Sequence, residues 1–198
     1  MTALSLLTVL VLSQRTTLLS DGPRVPLAKA VTVLASPKPK WDQRSSALEA
    51  LEGATRVIDL FSGIGTFALR IAEQAEVLAA ESEAEALAAL KRGADGAGGA
   101  LKEVSILRRD LLRTPLSSLE MKKFDGAVID PPRSGARLQA EQIARAPIRK
   151  LAYVSCDPAS FARDVKVLIE HGFTLTKITP VDQFRWSPHV EVVGAMER

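Results

Sequence analysis

The sequence predicts an α/β chain built on a parallel sheet with helices on both faces. Three observations carry the prediction. From Arg56 onward, short apolar runs rich in β-favouring residues alternate with stretches of helical spacing. Residues 57–67, V-I-D-L-F-S-G-I-G-T-F, read as a strand buried on both faces, a glycine turn and a helix start. The residues with chemistry to offer, Asp59, Glu81, Asp110, Asp130 and Cys156, fall at or beside predicted strand ends, where open α/β sheets bind their ligands.

Residues 1–40 are expected to form a short β-rich extension. Leu6–Leu12, Arg15–Leu19 and Val31–Ala35 have strand character, Ser20-Asp21-Gly22-Pro23 reads as a turn, and two prolines make 36–41 a linker. A unit that small does not fold alone, so it is expected to pack on a main domain over 41–198. There, Ser45–Leu51 reads as a modest helix ended by Gly53. Strand one is Arg56–Phe61, and Thr66–Glu73 has helical spacing with Thr66 as candidate N-cap. Strand two, Glu76–Ala80, leads to an Ala/Glu/Leu-rich helix over Glu83–Lys91 and a flexible glycine loop over Gly93–Gly99. Strand three is Glu103–Leu107, strand four is Phe124–Ile129, and Leu138–Ala146 is helical. Strand five, Lys150–Val154, precedes a helix over Ala159–Glu170 capped by His171-Gly172. Phe173–Pro180 and His189–Met196 are strands six and seven.

With 198 residues the chain is long enough for one domain with a proper core. Its net charge of +3 permits a nucleic-acid partner without requiring one. The single cysteine, Cys156, excludes an internal disulfide and, within one chain, a cysteine-ligated metal or iron–sulfur cluster. The apolar stretch 1–13 has no basic flank or small-residue cleavage site and is too short to span a bilayer, so it reads as a buried strand. A cytoplasmic monomer without membrane contact is expected.

The G-x-G of residues 63–65 lacks the third glycine of the dinucleotide fingerprint and the Lys-Ser/Thr of a phosphate loop. Asp59, inside the strand before the turn, needs a partner to be buried. It either accepts from the turn's own N–H groups or shapes a site for a cationic cofactor. Glu81 closes strand two, where a carboxylate can accept from ribose hydroxyls. Asp110 either meets an adenine amino group or caps the turn that follows it. Pro131 and Pro132 force a rigid, extended exit from strand four and hold Asp130 at its tip. Cys156 lies beside the helix N-terminus that begins at Pro158, a setting that lowers a thiol pKa, with Arg163 one turn further on. His189 and Glu191 alternate and so share a face of the last strand, where Glu191 is placed to act as a general base.

Four stretches in order, D-L-F-S-G-I-G-T-F (59–67), D-P-P-R-S-G (130–135), S-C-D-P-A-S-F-A-R-D (155–164) and H-V-E (189–191), resemble the RNA 5-methyluridine methyltransferases over roughly residues 54–194. The resemblance implies a Rossmann-like class I methyltransferase fold. Its sheet is seven-stranded and mostly parallel, and the last strand is antiparallel. It implies S-adenosyl-L-methionine as cofactor, held by Asp59, Phe61, Gly63, Gly65, Glu81, Asp110 and Asp130, and no iron–sulfur cluster. The implied reaction is methyl transfer to C5 of a uridine in RNA, ribosomal RNA ahead of transfer RNA. Cys156 is the nucleophile that adds to C6 and Glu191 the base, with Asp130, Arg133 and His189 against the substrate. The sequence departs from the family pattern in four places. Residues 1–40 stand as a remnant of the RNA-binding region. Leu34 occupies the place of a cofactor-contacting glutamine, a loss worth about 1–3 kcal/mol where a buried partner is left unpaired. Asp157 stands where asparagine is usual and would raise the thiol pKa, while Ser62 takes the place of a Cys or Ala. Two alternatives stay open: a truncated or decayed homologue that binds S-adenosylmethionine or RNA without catalysis, and a methyltransferase with another acceptor.

Overall fold

The structure is a computed structural model whose described residues are 42–181 and 190–198. The expected strands within 1–40, Leu34, and His189 therefore lie outside the described residues. The elements run α1 (Asp42–Ala50), β1 (Arg56–Leu60), α2 (Ala68–Ile71), β2 (Glu76–Glu81), α3 (Ala84–Gly96), β3 (Val104–Arg108), β4 (Gly126–Ile129), α4 (Arg137–Arg145), β5 (Lys150–Ser155), α5 (Pro158–Glu170), β6 (Thr174–Val181) and β7 (Glu191–Glu197). They build a seven-stranded sheet in the order β3-β2-β1-β4-β5-β7-β6. Only β7 runs against the rest, slotted antiparallel between β5 and β6.

The period-2 pattern of the strands divides the core in two. Ile58, Leu60, Ala127, Ile129, Leu151 and Tyr153 face the side covered by α4 and α5, where Ile143, Phe161 and Leu168 pack. Val57, Val128, Ala152 and Val154 face the side covered by α1, α2 and α3, with Leu51, Ile71 and Leu90. Every residue of β4 is buried, so this central strand carries no polar face, as a strand covered on both sides must. No helix among the described residues is long and apolar enough to cross a membrane.

Two local expectations are corrected. The helix expected over 66–73 is one short turn, Ala68–Ile71, and Thr66 does not cap it: Phe67 is the N-cap residue, and no side chain of its own closes the turn. Asp59 serves instead, reaching across from β1 to accept from the Ala68 N–H at 2.9 Å. The second correction is α3, which runs through Gly93 to Gly96 rather than stopping at Lys91. Gly93 lies against Leu69, where an added Cβ would stand 3.0 Å from Cδ1, and Lys91 bridges to Asp95 at 3.0 Å one turn on. Packing and the i,i+4 pair outweigh the roughly 1 kcal/mol that a helical glycine costs.

Candidate active site

Strand direction gathers the expected residues on one edge. β1, β2, β4 and β5 are mutually parallel, so Phe61, Glu81, Asp130 and Cys156 emerge at their carboxyl ends. Because β7 is antiparallel, its first residue, Glu191, lies at the same edge. Ser155 pairs with Val192. That is the last pair of the ladder, and Cys156 and Glu191 are the next residues of the two strands at this edge.

The turn after β1 is built from its own sequence. Phe61 takes φ +64, the one left-handed non-glycine residue among those described, at a cost of about 1–2 kcal/mol. The chain then folds back: Ser62 N–H donates to the Ala80 carbonyl at 3.1 Å and Gly65 N–H to the Ser62 carbonyl at 2.9 Å. The two glycines have different work. Gly65 (φ +93) is needed for packing, since a Cβ there would sit 2.8 Å from Leu90 Cγ. Gly63 (φ +53) faces open space, with nothing within 4 Å of an added Cβ, and so leaves room for a ligand to approach the backbone. Gly65→Ala is therefore expected to cost about 2–4 kcal/mol through backbone strain and overpacking together. Gly63→Ala is expected to cost only about 1–2 kcal/mol. Urea denaturation of the two variants checks this, and equal losses would contradict it.

Glu81 ties the turn to the end of β2. Its Oε2 accepts from Gly63 N–H at 3.0 Å, and its Oε1 from Ser82 N–H and Oγ–H and from Glu83 N–H. Burial pushes this carboxyl up, but the N–H groups of Glu83, Gly63 and Ser82 outweigh it and leave it below its usual range. Glu81 is thus an anion fixed beside the open face of Gly63. Asp59 is in the opposite state. It is fully buried, and burial pushes its carboxyl up to about 8; the Ala68 N–H works against the rise, and the charges of Asp130 and Glu81 add to it. The hydrogen bond to Ala68 realises the turn-capping role for one oxygen, while Oδ1 has no protein partner.

Asp130 is pushed up to about 6, first by burial and then by the charge of Glu191. Glu191 itself is raised by burial. These two carboxylates, one just after β4 and one at the start of β7, interact electrostatically across the strand that delivers Cys156. The buried side-chain oxygens without a partner among the described residues are Asp59 Oδ1, Ser62 Oγ and Glu191 Oε2. All three belong to this edge, and a polar ligand is what would satisfy them.

Asp157 is the N-cap of α5: its Oδ2 accepts from Ser160 N–H at 2.7 Å. That bond, with help from Arg133's charge, holds its carboxyl below the usual range. An aspartate at this place is thus explained by capping, and the same interaction brings the exposed Arg133 toward the Cys156 segment. Arg163, expected to bear on the thiol, is engaged elsewhere. Its Nε donates to Asp164 Oδ1 at 2.7 Å and its Nη2 to the Ser134 carbonyl at 2.9 Å. Asp110 is exposed and caps its own turn, accepting from Leu112 and Arg113 N–H groups through Oδ1 at 3.1 and 3.2 Å.

The sequence reading assigned no role to Asp164, which holds the site together. It is fully buried; its Oδ2 accepts from Ala136 N–H and from the Tyr153 hydroxyl, both at 2.7 Å, and its Oδ1 from Arg163. The loop after Asp130 is thereby locked to β5 and α5. Gly135 (φ +71) fits against this hub, and a Cβ there would come within 2.5 Å of Asp164 Oδ2 and Arg163 Nη2. The one available signal was an aspartate on the apolar face of a predicted helix.

A family model for tRNA (uracil-5-)-methyltransferases matches residues 43–198. The chain belongs to that family. An uncharacterized RNA methyltransferase of Caulobacter vibrioides is 45% identical over 183 residues, 89% of this chain and 44% of that protein. One of Mesorhizobium japonicum is 51% identical over 148 residues, 75% of this chain and 36% of that protein. The chain thus spans less than half the length of these relatives. The crystal structure of the Pyrococcus abyssi tRNA (uracil-54, C5)-methyltransferase in complex with S-adenosyl-L-homocysteine superposes with a TM-score of 0.68 at 28% identity, over 78% of this chain and 37% of that one. A magnesium protoporphyrin IX methyltransferase of Synechocystis with bound S-adenosylmethionine, at 13% identity and a TM-score of 0.60, shares the fold alone. The sheet is therefore the Rossmann-like class I methyltransferase sheet, and Cys156 and Glu191 lie at one edge of it.

Proposed function

We propose that the chain transfers a methyl group from S-adenosyl-L-methionine to C5 of a uridine in folded RNA through a covalent adduct on Cys156. The observation that carries this reading is the β5–β7 ladder, whose last pair, Ser155 and Val192, leaves a half-buried Cys156 and a half-buried Glu191 with one unpartnered oxygen as the next residues at the same edge.

The residues fit the cofactor. The unpartnered oxygens of Asp59 and Ser62, the open space over Gly63 and the anionic Glu81 form an acidic, polar edge suited to a cationic amino acid and a ribose. Glu81, Gly63 and Phe61 would hold it beside β1 and β2, with Gly65 supporting them from the packed side and Asp110 reaching it only with the oxygen its turn does not use. When bound, the group supplies an electrophilic methyl on a sulfonium. The Cys156 thiolate adds to C6 of the uracil, and the C5–C6 π electrons move to make C5 nucleophilic. After C5 has gained the methyl, Glu191 takes the C5 proton, and the returning electron pair expels Cys156 and restores the ring. Burial raises the Glu191 carboxyl, which makes it a better base near neutral pH. Asp130 and Arg133 orient the base and its charge, as does His189, which lies outside the described residues.

RNA carrying 5-fluorouridine tests the reading, because fluorine at C5 cannot leave as a proton and the adduct persists. Wild-type protein is expected to form a denaturant-resistant complex with such RNA in the presence of cofactor. Cys156→Ala is expected to form none while retaining S-adenosylhomocysteine binding by calorimetry. Cofactor binding without any wild-type adduct would hand the assignment to the non-catalytic alternative or to another acceptor. Competing ribosomal and transfer RNA transcripts for the adduct separates the expected ribosomal target from the transfer RNA named for the Pyrococcus abyssi neighbour.

A further inference from the structure

The opposite edge of the sheet carries a charge pattern that methyl transfer does not use. At the amino-terminal ends of β1, β2, β4 and β5, and just before β3, lies an open cleft of about 710 Å³. Its lining holds five cations, Arg56, Lys102, Lys122, Lys123 and Arg149, against two carboxylates, Glu76 and Asp125. Both carboxylates are committed. Glu76 pairs with Arg56 at 2.9 Å, and Asp125 accepts from Thr55 and Arg56 N–H groups and from the Thr55 hydroxyl. Lys102, Lys122, Lys123 and Arg149 are exposed and have no carboxylate partner among the described residues.

Clustering like charges on a folded surface costs stability, and among the described residues no ion pair offsets it at Lys102, Lys122, Lys123 or Arg149. The backbones beneath are nonetheless fixed: Lys102 N–H donates to the Ala72 carbonyl at 2.7 Å and Arg149 N–H to the Asp125 carbonyl at 2.8 Å. The Lys123 ammonium lies 5.3 Å from the centre of the Phe124 ring. The cleft therefore presents exposed cationic side chains from a hydrogen-bonded backbone. Among the described residues it offers no stacking platform, because the aromatic residue that lines it, Phe124, is 5% exposed. Cations without an exposed ring suit phosphates rather than bases.

We infer that this cleft binds the phosphodiester backbone of a second segment of the RNA whose target uridine lies at the Cys156 edge. The inference rests on the RNA-acceptor reading above. Strands of four to six residues separate the two edges by about 13–20 Å, so an RNA reaches both only where a further segment passes around the domain. A short single strand carrying the uridine does not.

The test uses the full 198-residue chain, a transcribed stem-loop RNA of transfer-RNA size containing 5-fluorouridine, and the triple variant Lys102→Ala/Lys123→Ala/Arg149→Ala. The variant is expected to bind this RNA about tenfold or more weakly at moderate salt, with the slope of log Kd against log salt reduced by about one per lost phosphate contact. Its melting temperature and S-adenosylhomocysteine affinity are expected to match wild type, which separates a lost contact from a lost fold. An unchanged affinity and slope alongside a normal Cys156 adduct would overturn the cleft and leave the uridine reading intact. Weakened binding with a reduced salt slope in the variant, and no adduct even from wild type, would support the cleft and sink the uridine reading. Absence of RNA binding by the wild-type chain overturns the cleft.

Discussion

Asp164→Ala is expected to destabilise the chain by about 3–5 kcal/mol, the loss seen when one partner of a buried charged network is removed. The side chain is fully buried and takes three donors. Arg163 is 44% exposed and can turn to water. The Ala136 N–H and the Tyr153 hydroxyl cannot, and each stranded donor costs about 1–3 kcal/mol. Tyr153 is fully buried, with its ring edge-on to Phe161 at 5.6 Å. Burial, and then the bond to Asp164, pushes its hydroxyl above the usual range, so it stays a donor at any pH where the protein folds. Since a domain of this kind is stable by about 5–15 kcal/mol, the variant is expected to populate unfolded chains measurably. Urea denaturation of Asp164→Ala, Tyr153→Phe and the double variant gives the coupling. An interaction energy near zero would show that the Tyr153 and Asp164 contacts are independent of each other. The loss should also loosen the loop after Asp130, since Ala136 N–H and the Ser134 carbonyl are both anchored through this hub.

Wild-type stability is expected to fall between pH 5 and pH 8, and Asp59→Asn to flatten that fall. An unfolded aspartate titrates near 3.9, whereas burial lifts folded Asp59 to about 8. Between those values the folded chain keeps a proton the unfolded chain has released. The stabilising contribution is therefore complete below about pH 4 and is lost as pH rises through about 8. From pH 5 to pH 8 one such group accounts for up to about 4 kcal/mol. Asp130, lifted to about 6, acts in the same sense over a narrower window. Asparagine keeps an acceptor for the Ala68 N–H and removes the titration. Denaturation midpoints of both proteins at pH 5 and pH 8 test the idea, and parallel profiles would remove Asp59 as the source.

Much of this edge was readable from local pattern. The D-P-P-R exit sets Asp130 at a strand tip because proline forbids any other continuation, and the glycines of 63–65 announce a turn because their φ values of +53 and +93 disfavour side chains. What each glycine serves was not readable: Gly65 answers to Leu90, a neighbour brought by tertiary packing. The same holds for the first turn of α2. Thr66 carries a capping side chain, yet the buried Asp59 reaches Ala68 across the turn and supplants it. Asp110 shows the reverse, a strand-end carboxylate whose observed partners are the N–H groups of its own turn.

By itself the sequence determined the order of strands and helices, the two-sided burial of the central strands and the edge on which the reactive residues collect. Those follow from hydrophobic period and turn chemistry, which act over a few residues. Only the tertiary structure decided which groups share an environment. The insertion of β7 between β5 and β6 brings Glu191 to the edge where Cys156 follows β5, and the folding of α5 onto β5 buries Asp164 beneath the Asp130 loop. Electrostatic coupling and desolvation depend on distance in space, and residues far apart in the chain meet only when the sheet has formed.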